Sequence, residues 1–562
     1  MPNQHLCCKE NKMHISRRTL LKQAAIAVAA QQARGLMAAP ISNLAEGRTI
    51  APGPFQPEWA SLKRYKTPDW FRDAKFGIWA HWSPQCVPEA GDWYARQMYI
   101  QGHPQYDHHV KHYGHPSKTG FMEIDNLWKV DAWNPHELMQ LYVNAGAKYF
   151  MSLANHHDNF DCYDSRFHPW NSTRIGPMRD IVGTWANIAR EHGLRFGVSN
   201  HSAHSWHWFQ TAYDYDPEGP LAGMRFDAFR LTKEDGKGKW WEGLDPQELY
   251  NGKSLVMPDG ISSIGAANQW HEAHDRIWNE NPPENNPAFV EKWFLRCQDL
   301  LDKYNPDMLY FDNYGLPLGQ TGLDITAHYY NSNIRRHGSL EAVVFAKNLT
   351  PEHLGAAVLD IERGRADRIL QDPWQTDTCI GDWHYDRAIY EHHTYKTAHL
   401  VVQQLIDIVS KNGNLLLNVP LRGNGAIDED EHEFLVNLAS WMKVNGEAIY
   451  GTRPFFVYGE GLPDVGSSSD FNESKARPFI AEDIRFTTKG ELLYAFSLAW
   501  PEGESFKIKT LKRGRPEYPR PIRQVELLGH DKPLEFTQNA DGLTILLPHT
   551  RPNPYAYAFR IR

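Results

Sequence analysis

Cysteine is scarce in this chain of 562 residues: six occur, with Cys7 and Cys8 at the start, Cys86, Cys162, Cys297 and Cys379 far apart, and no CxxC pair. That spacing excludes a zinc knuckle and leaves zero to two disulfides open in the body of the chain. Long apolar runs are missing as well. No stretch approaches the ~20 residues that a bilayer crossing requires, so no membrane span is expected. Positive charge is not in excess either: 59 Lys and Arg stand against 68 Asp and Glu, a formal net charge of −9. A nucleic-acid partner, which needs a concentrated basic face, is therefore not expected. No internal repeat is present, and no low-complexity segment beyond the N-terminus.

Hydrophobic residues make up 41% of the chain, enough for a substantial interior. The length exceeds one ordinary core, so at least two domains are expected. Trp (20), Tyr (25) and Phe (25) are abundant; their flat faces with a polar edge suit sugar rings, although a large core uses the same residues. "SRRTLLK" (Ser16 to Lys22), then "AAIAVAA" and small residues at Ala38 and Ala39, describe a cleavable export signal over residues 1–39. The consecutive Arg17 and Arg18 resemble the twin-arginine type, which implies a bacterial periplasmic or extracellular protein.

From about 70 to 450 short apolar runs alternate with helical patterns. Strands are expected at 75–82, 147–154, 194–200, 307–312, 342–347 and 414–420. Helices lie between them: Asn134 caps one that stops at Gly146, and Asp180 caps another that stops at Gly193. This alternation predicts a parallel sheet closed as a (β/α)8, TIM-like barrel over residues 40–450. Residues 201–286 form a long insertion after one strand, and 451–562 read as short strands between turns, a C-terminal β-sandwich.

Catalytic groups of such barrels sit where strands end. Here the strand ends carry His81-Trp82, His156-His157-Asp158, Asn200-His201, Asp312-Asn313, Lys347-Asn348 and Asn418. The histidine pair admits three readings: a metal site, a grip on a small polar substrate, or core histidines. Adjacent residues on an extended strand point to opposite sides, which makes them poor chelators, so neither a metal nor another cofactor is expected.

Four ordered blocks, "KFGIWAHW…VPEAGDWYARQMY", "AKYFMSLANHHDNFDCYDS", "PDMLYFDNYG" and "NGNLLLNVPLRGNGAID", resemble the α-L-fucosidase family of retaining glycoside hydrolases (glycoside hydrolase family 29). The resemblance implies a β/α barrel followed by a β-sandwich, with Asp312 as nucleophile. It also implies that His81, His156 and His157 grip sugar hydroxyls, that Asp92-Trp93 closes the pocket, and that Tyr310 stands two positions before the nucleophile. Departures from the family pattern affect other positions. Ser199, Asn200 and His201 replace a "YYS" strand end, so Asn200 and His201 are expected to make different sugar contacts. The family's arginine after the next strand is replaced around Lys347. Gln375, in "PWQTDTC", stands where a family glutamate often serves as acid/base, and an amide cannot exchange a proton as a carboxyl does. Glu362 is the replacement chosen here, with Asp377, Asp382 and Glu391 as other options. Trp383 is taken as substrate-binding, and Trp374 is either a pocket wall or core.

The resemblance implies hydrolysis of terminal α-L-fucosyl linkages in a fucosylated oligo- or polysaccharide. An α-L-galactosidase-like activity and a catalytically impaired carbohydrate-binding protein are the alternatives, and a homo-oligomer is left open. Because the histidine pair is read as a sugar grip, exhaustive chelation is expected to leave turnover of an aryl α-L-fucoside unchanged. Loss of rate restored by one added divalent ion would contradict that reading.

Overall fold

The computed structural model describes residues 48–276, 283, 286–463 and 465–562, so the expected export signal lies outside the described residues. Eight parallel strands close into a barrel in chain order: β1 (Phe76–Ala80), β2 (Tyr149–Asn155), β3 (Arg195–Asn200), β4 (Met308–Tyr314), β5 (Val343–Lys347), β6 (Val358–Glu362), β7 (Trp374–Cys379) and β8 (Gly413–Asn418). Strand β1 pairs with both β2 and β8, which completes the ring.

The expected helix signals act as read. The Asn134 side chain accepts from Glu137 N to open Pro135–Asn144, and the Asp180 side chain accepts from Gly183 N to open Ile181–Glu191. On the latter helix Trp185 packs against Phe150 of β2, ring centroids 4.8 Å apart, so its apolar face is what holds it to the barrel wall. Inside the barrel, a Cβ at Gly77 would lie 2.2 Å from the Tyr149 ring. Glycine there makes room for the Tyr149 phenol, whose hydroxyl donates to Gln375 Oε1 at 3.2 Å.

Strands β6 (VLDIE) and β7 (WQTDTC) were not expected, because they are not apolar runs. Their polar residues form a network within the barrel: Gln375 Nε2 donates to Asp360 Oδ1 at 2.8 Å, and Tyr310 OH donates to Asp377 Oδ2 at 2.9 Å. Buried polar groups are stable when paired in this way. No helix follows β5 or β6 among the described residues. On the β5 side the N-terminal segment supplies cover, with Tyr65 stacked on Tyr330 at 4.9 Å. Beside β6 the cover comes from the segment around Asn472, whose Oδ1 accepts from Arg365 N and whose Nδ2 donates to Arg365 O.

Beyond the barrel, β9 (Arg453–Glu460), β10 (Ile484–Lys489), β11 (Leu492–Ser497), β13 (Val525–Leu527) and β16 (Tyr557–Ile561) form one antiparallel sheet. A second sheet contains β12 (Ser505–Ile508), β14 (Phe536–Asn539) and β15 (Gly542–Leu546). Their inner faces share a core that includes Phe506, Ile545 and Phe559, a β-sandwich. The four described cysteines are buried free thiols. Among the described residues no helix is long and apolar enough to cross a membrane.

A buried carboxylate is among the groups that join barrel and sandwich. Asp407, on helix Ala398–Ser410, bonds Lys411 Nζ at 2.8 Å and Arg485 Nε of β10 at 2.6 Å, and all three side chains are almost fully buried. Burial opposes the charge of Asp407, but Lys411 and Arg485 outweigh it and hold the carboxyl well below its usual range. Removing the carboxylate takes from Lys411 and Arg485 the buried acceptor that they share. Asp407→Ala is expected to destabilise the fold by about 3–5 kcal/mol, read as a lower urea midpoint. A loss under about 1 kcal/mol, as for an exposed pair, would contradict this.

Candidate active site

The C-terminal ends of the strands surround a pocket of about 240 Å³. Strand β4 brings Tyr310 and Asp312, β5 ends on Lys347, β6 ends on Glu362 and β7 carries Asp377. His81 follows β1, His156 and His157 follow β2, and His201 follows β3; all of these residues line the pocket.

Asp312 is the most heavily bonded group. Its Oδ2 meets His201 Nδ1 at 3.0 Å and His157 Nε2 at 3.2 Å, while its Oδ1 accepts from Lys347 Nζ. Burial alone would raise its pKa, but Lys347 and His201 reverse the shift and keep it well below the ordinary carboxylate value. The same Lys347 ammonium donates to Glu362 Oε2. For Glu362 burial wins: it raises the carboxyl to about 7 against the pull of Lys347, helped by the charges of Asp377 and Asp312. Two carboxyls on one pocket therefore titrate far apart, one ionised and the other still partly protonated near neutrality.

The histidines form a second group. His81, His156 and His201 stand in a triangle with ring centroids 5.2, 5.0 and 5.0 Å apart. Burial lowers the pKa of each, to about 4 for His201 and well below the usual value for the other two, so they are neutral at neutral pH. His81 Nδ1 and His201 Nε2 are buried with no hydrogen-bond partner among the described residues. Orphaned polar atoms beside a cavity call for a polar ligand. Gln85 Nε2 meets the His156 ring at Nδ1, 2.8 Å away, while Asn418 Oδ1 accepts from the backbone N–H of His81 at 2.9 Å and Asn155 Oδ1 from that of His201 at 3.2 Å, which holds the chain at both residues.

Some expectations need correction. His156 and His157 do not point to opposite sides. Strand β2 ends at Asn155 and the chain turns, so the period-2 alternation no longer applies and both rings face the pocket, centroids 4.3 Å apart. Ligand nitrogens of His81, His156 and His201 lie within 4.8 Å of one another, close enough to hold a divalent ion as well as sugar hydroxyls. Trp93 lines the pocket but Asp92 does not: its carboxylate accepts from Trp383 N at 3.1 Å and His384 N at 2.7 Å, so it positions Trp383. Asn200 is also outside the pocket, its Oδ1 accepting from Ser202 N and Oγ. Asp158 is a turn residue whose Oδ1 accepts from Phe160 N at 3.2 Å.

Among the residues weighed as acid/base, Glu362 and Asp377 line the pocket; Gln375, Asp382 and Glu391 do not. Gln375 lies two residues down β7 from Asp377, tied to Asp360 and Tyr149 inside the barrel. Trp383 lines the pocket, whereas Trp374 is core and donates to Lys411 O at 2.9 Å. Sequence reasoning missed His204, from the insertion, and Phe471, which arrives from more than 100 positions beyond Glu362. No local pattern marks Phe471; the density of histidine in "HSAHSWHW" was a signal for His204.

The family model described as Alpha-L-fucosidase matches residues 42–447, and that described as Alpha-L-fucosidase C-terminal domain matches 477–562. Tissue alpha-L-fucosidase of Rattus norvegicus is 24% identical over 529 residues, covering 91% of this chain and 92% of that protein. Plasma alpha-L-fucosidase of Homo sapiens is 25% identical over 524 residues, covering 90% and 92%. The crystal structure of Thermotoga maritima alpha-fucosidase superposes with a TM-score of 0.65 at 24% identity, covering 90% of this chain and all of that one, and so shares its fold. A structure of the same Thermotoga protein in complex with fucose gives a TM-score of 0.64.

Lys347 lowers the pKa of Asp312 and of Glu362 alike. Lys347→Met is therefore expected to move both limbs of the pH profile of kcat/KM for an aryl α-L-fucoside to higher pH, besides lowering its maximum. A profile that keeps its position would show that the ammonium does not set these protonation states.

Proposed function

Because the chain belongs to the α-L-fucosidase family of glycoside hydrolases, we propose that it is an exported, retaining exo-glycosidase acting on terminal α-L-fucosyl residues of glycans. In this reading Asp312 is the nucleophile and Glu362 the acid/base. The observation that carries the reading is the shared ammonium. Oxygens of Asp312 and Glu362 both bond Lys347 Nζ, so they are separated by at most about two hydrogen-bond lengths, ~6 Å. Retaining enzymes place their carboxyls ~5–5.5 Å apart, whereas inverting enzymes leave ~6.5–9.5 Å for a water.

The chemistry follows from the protonation states. Ionised Asp312 attacks the anomeric carbon as the bond to the leaving oxygen breaks, and protonated Glu362 gives that oxygen its proton. Glu362, now a carboxylate, then takes a proton from water. The water oxygen bonds the anomeric carbon and frees Asp312, and two inversions leave the configuration retained. Lys347 faces one carboxylate charge throughout: Asp312 before attack, Glu362 while Asp312 is esterified. The neutral histidines His81 and His156 can donate to or accept from the sugar hydroxyls. The impaired-protein alternative rested on Gln375, which lies outside the pocket that Glu362 lines, and so loses its motive. Export is inferred from Arg17 and Arg18, and cell fractionation tests it.

Asp312→Ala is expected to abolish turnover without unfolding the chain, with azide restoring release of an activated aryl α-L-fucoside as the fucosyl azide. Near-native turnover would mean that the nucleophile is another residue. Glu362→Gln is expected to slow a natural glycan by about 10²–10⁴-fold while sparing the first turnover of an aryl substrate, whose leaving group needs no proton. Asp377→Asn is the parallel measurement. If it shows that leaving-group dependence and Glu362→Gln does not, the acid/base role moves to β7.

A further inference from the structure

Asp214, His271 and Asp275, all buried, meet within the long insertion. Asp214 follows the short helical turn Phe209–Tyr213, His271 lies on the helix Ile264–Ala273, and Asp275 stands just beyond that helix. One donor atom from each lies within 4.8 Å of the other two. His271 Nδ1 is 2.8 Å from Asp275 Oδ2 and 3.9 Å from Asp214 Oδ2.

Each carboxylate is anchored by one oxygen and turns the other to the imidazole. Arg96 Nη2 donates to Asp275 Oδ1 at 2.7 Å, and Met257 N donates to Asp214 Oδ1 at 2.9 Å. The second oxygen of Asp275 has His271 as its partner. That of Asp214 is buried with no hydrogen-bond partner among the described residues. A His271–Asp275–Arg96 network is complete without Asp214, so ion pairing alone leaves this oxygen unexplained and unsatisfied. A metal ion accounts for it. Tetrahedral zinc, with bonds of ~2.0–2.1 Å, sets neighbouring ligand atoms about 3.3 Å apart, between the 2.8 and 3.9 Å measured from His271 Nδ1. The bonds from Arg96 and from Met257 N are then the outer contacts that orient carboxylate ligands.

The place suits a staple. Tyr215, Met257 and Ala267 form a small apolar cluster separate from the barrel core, with Ile261 and Trp270 packed on it. So few side chains bury little apolar surface, and a metal is a common substitute for a core. The cluster is also joined to the pocket wall. Arg96 Nη1 donates to Trp208 O at 2.7 Å, and the Trp208 ring lies 5.5 Å from that of His157 and 6.1 Å from that of His156. We propose that Asp214, His271 and Asp275 bind one structural Zn2+, with a water as fourth ligand, which pins the insertion behind the pocket histidines. Imidazole suits zinc, whereas Ca2+ and Mg2+ take oxygen ligands. On binding, the proton that His271 and Asp275 share passes to solvent. The site excludes His156 and His157, on which the expectation of no metal rests, and it stands whether or not the chain is a fucosidase.

The test strips the full chain with a chelator, removes the chelator and adds Zn2+. Zinc in excess over its Kd is expected to raise Tm by about 3–5 °C and to slow amide hydrogen exchange in the helix Ile264–Ala273. After gel filtration Asp214→Asn is expected to hold one zinc fewer than the wild type and to show neither effect. His81→Asn, which breaks the histidine triangle of the pocket, is expected to keep both. Without metal, Asp214→Asn is expected to melt no lower than the wild type, because its amide oxygen still accepts from Met257 N and the unsatisfied carboxyl oxygen is gone. Turnover of an aryl α-L-fucoside well below Tm is expected to survive removal of the zinc, since the ion lies behind the pocket wall. Retention of no zinc overturns the inference, as does zinc that persists in Asp214→Asn and is lost in His81→Asn. So does a Tm raised by Ca2+ or Mg2+ but not by Zn2+, or a metal-free Asp214→Asn that melts several degrees below the wild type. If Asp214→Asn does not fold, exchange in the helix Ile264–Ala273 decides: zinc slows it in the wild type and in His81→Asn alike, or the inference falls.

Discussion

A single buried ammonium sets the terms for the site. Lys347 Nζ bonds Asp312 and Glu362 together, and burial makes every charge among them costly unless it is balanced. With Asp312 ionised and Glu362 protonated, the trio is neutral. In the proposed mechanism the proton leaves Glu362 as Asp312 forms its ester, and the trio is neutral again. The negative charge would then pass from one carboxyl to the other without a change in the charge that the barrel must solvate. An arginine here would present a broad fork; the lysine is a compact point charge that faces both partners.

Everything else in the pocket follows from holding that trio out of water at a fixed spacing. The closed barrel brings strand ends from 76–80 to 413–418 onto one rim. Buried amides then hold the histidines: Asn155 and Asn418 accept from the backbone N–H of His201 and His81, and Gln85 bonds the His156 ring. The same burial that raises Glu362 lowers the histidines, so one desolvated pocket yields a proton donor, a persistent carboxylate and neutral hydrogen-bonding rings. The sandwich side contributes through Phe471 and, farther out, through the Asp407–Arg485 pair that ties it to the barrel.

Much of this was legible in the sequence because its signals are local. Apolar runs located six of the strands, Asn134 and Asp180 marked helix starts, and His81, His156, His157, His201, Tyr310 and Asp312 could be read from strand ends and the blocks around them, whereas Glu362 came into view only because Gln375 cannot exchange a proton. What was not legible depends on pairing at a distance. Strands β6 and β7 are polar because Asp360, Gln375 and Asp377 satisfy one another and two tyrosines inside the barrel, a pattern no single segment reveals. Asp92 reads as a pocket residue until its bonds to the backbone of residues 383 and 384 are seen, 291 and 292 positions away. The turn after Asn155 likewise defeats the alternation rule that set His156 and His157 on opposite sides.

The central claim is that Asp312 forms a covalent bond to the sugar while Lys347 shares its charge with Glu362. Trapping tests it most directly. A 2-deoxy-2-fluoro-α-L-fucosyl donor with a good leaving group slows hydrolysis of the ester more than its formation, so intact-mass measurement and peptide mapping report where the sugar rests. The account predicts stoichiometric addition of one fluorinated sugar, on the peptide containing "YFDNYG" and at Asp312. A label on another carboxylate, or turnover of the donor with no covalent adduct, would contradict it.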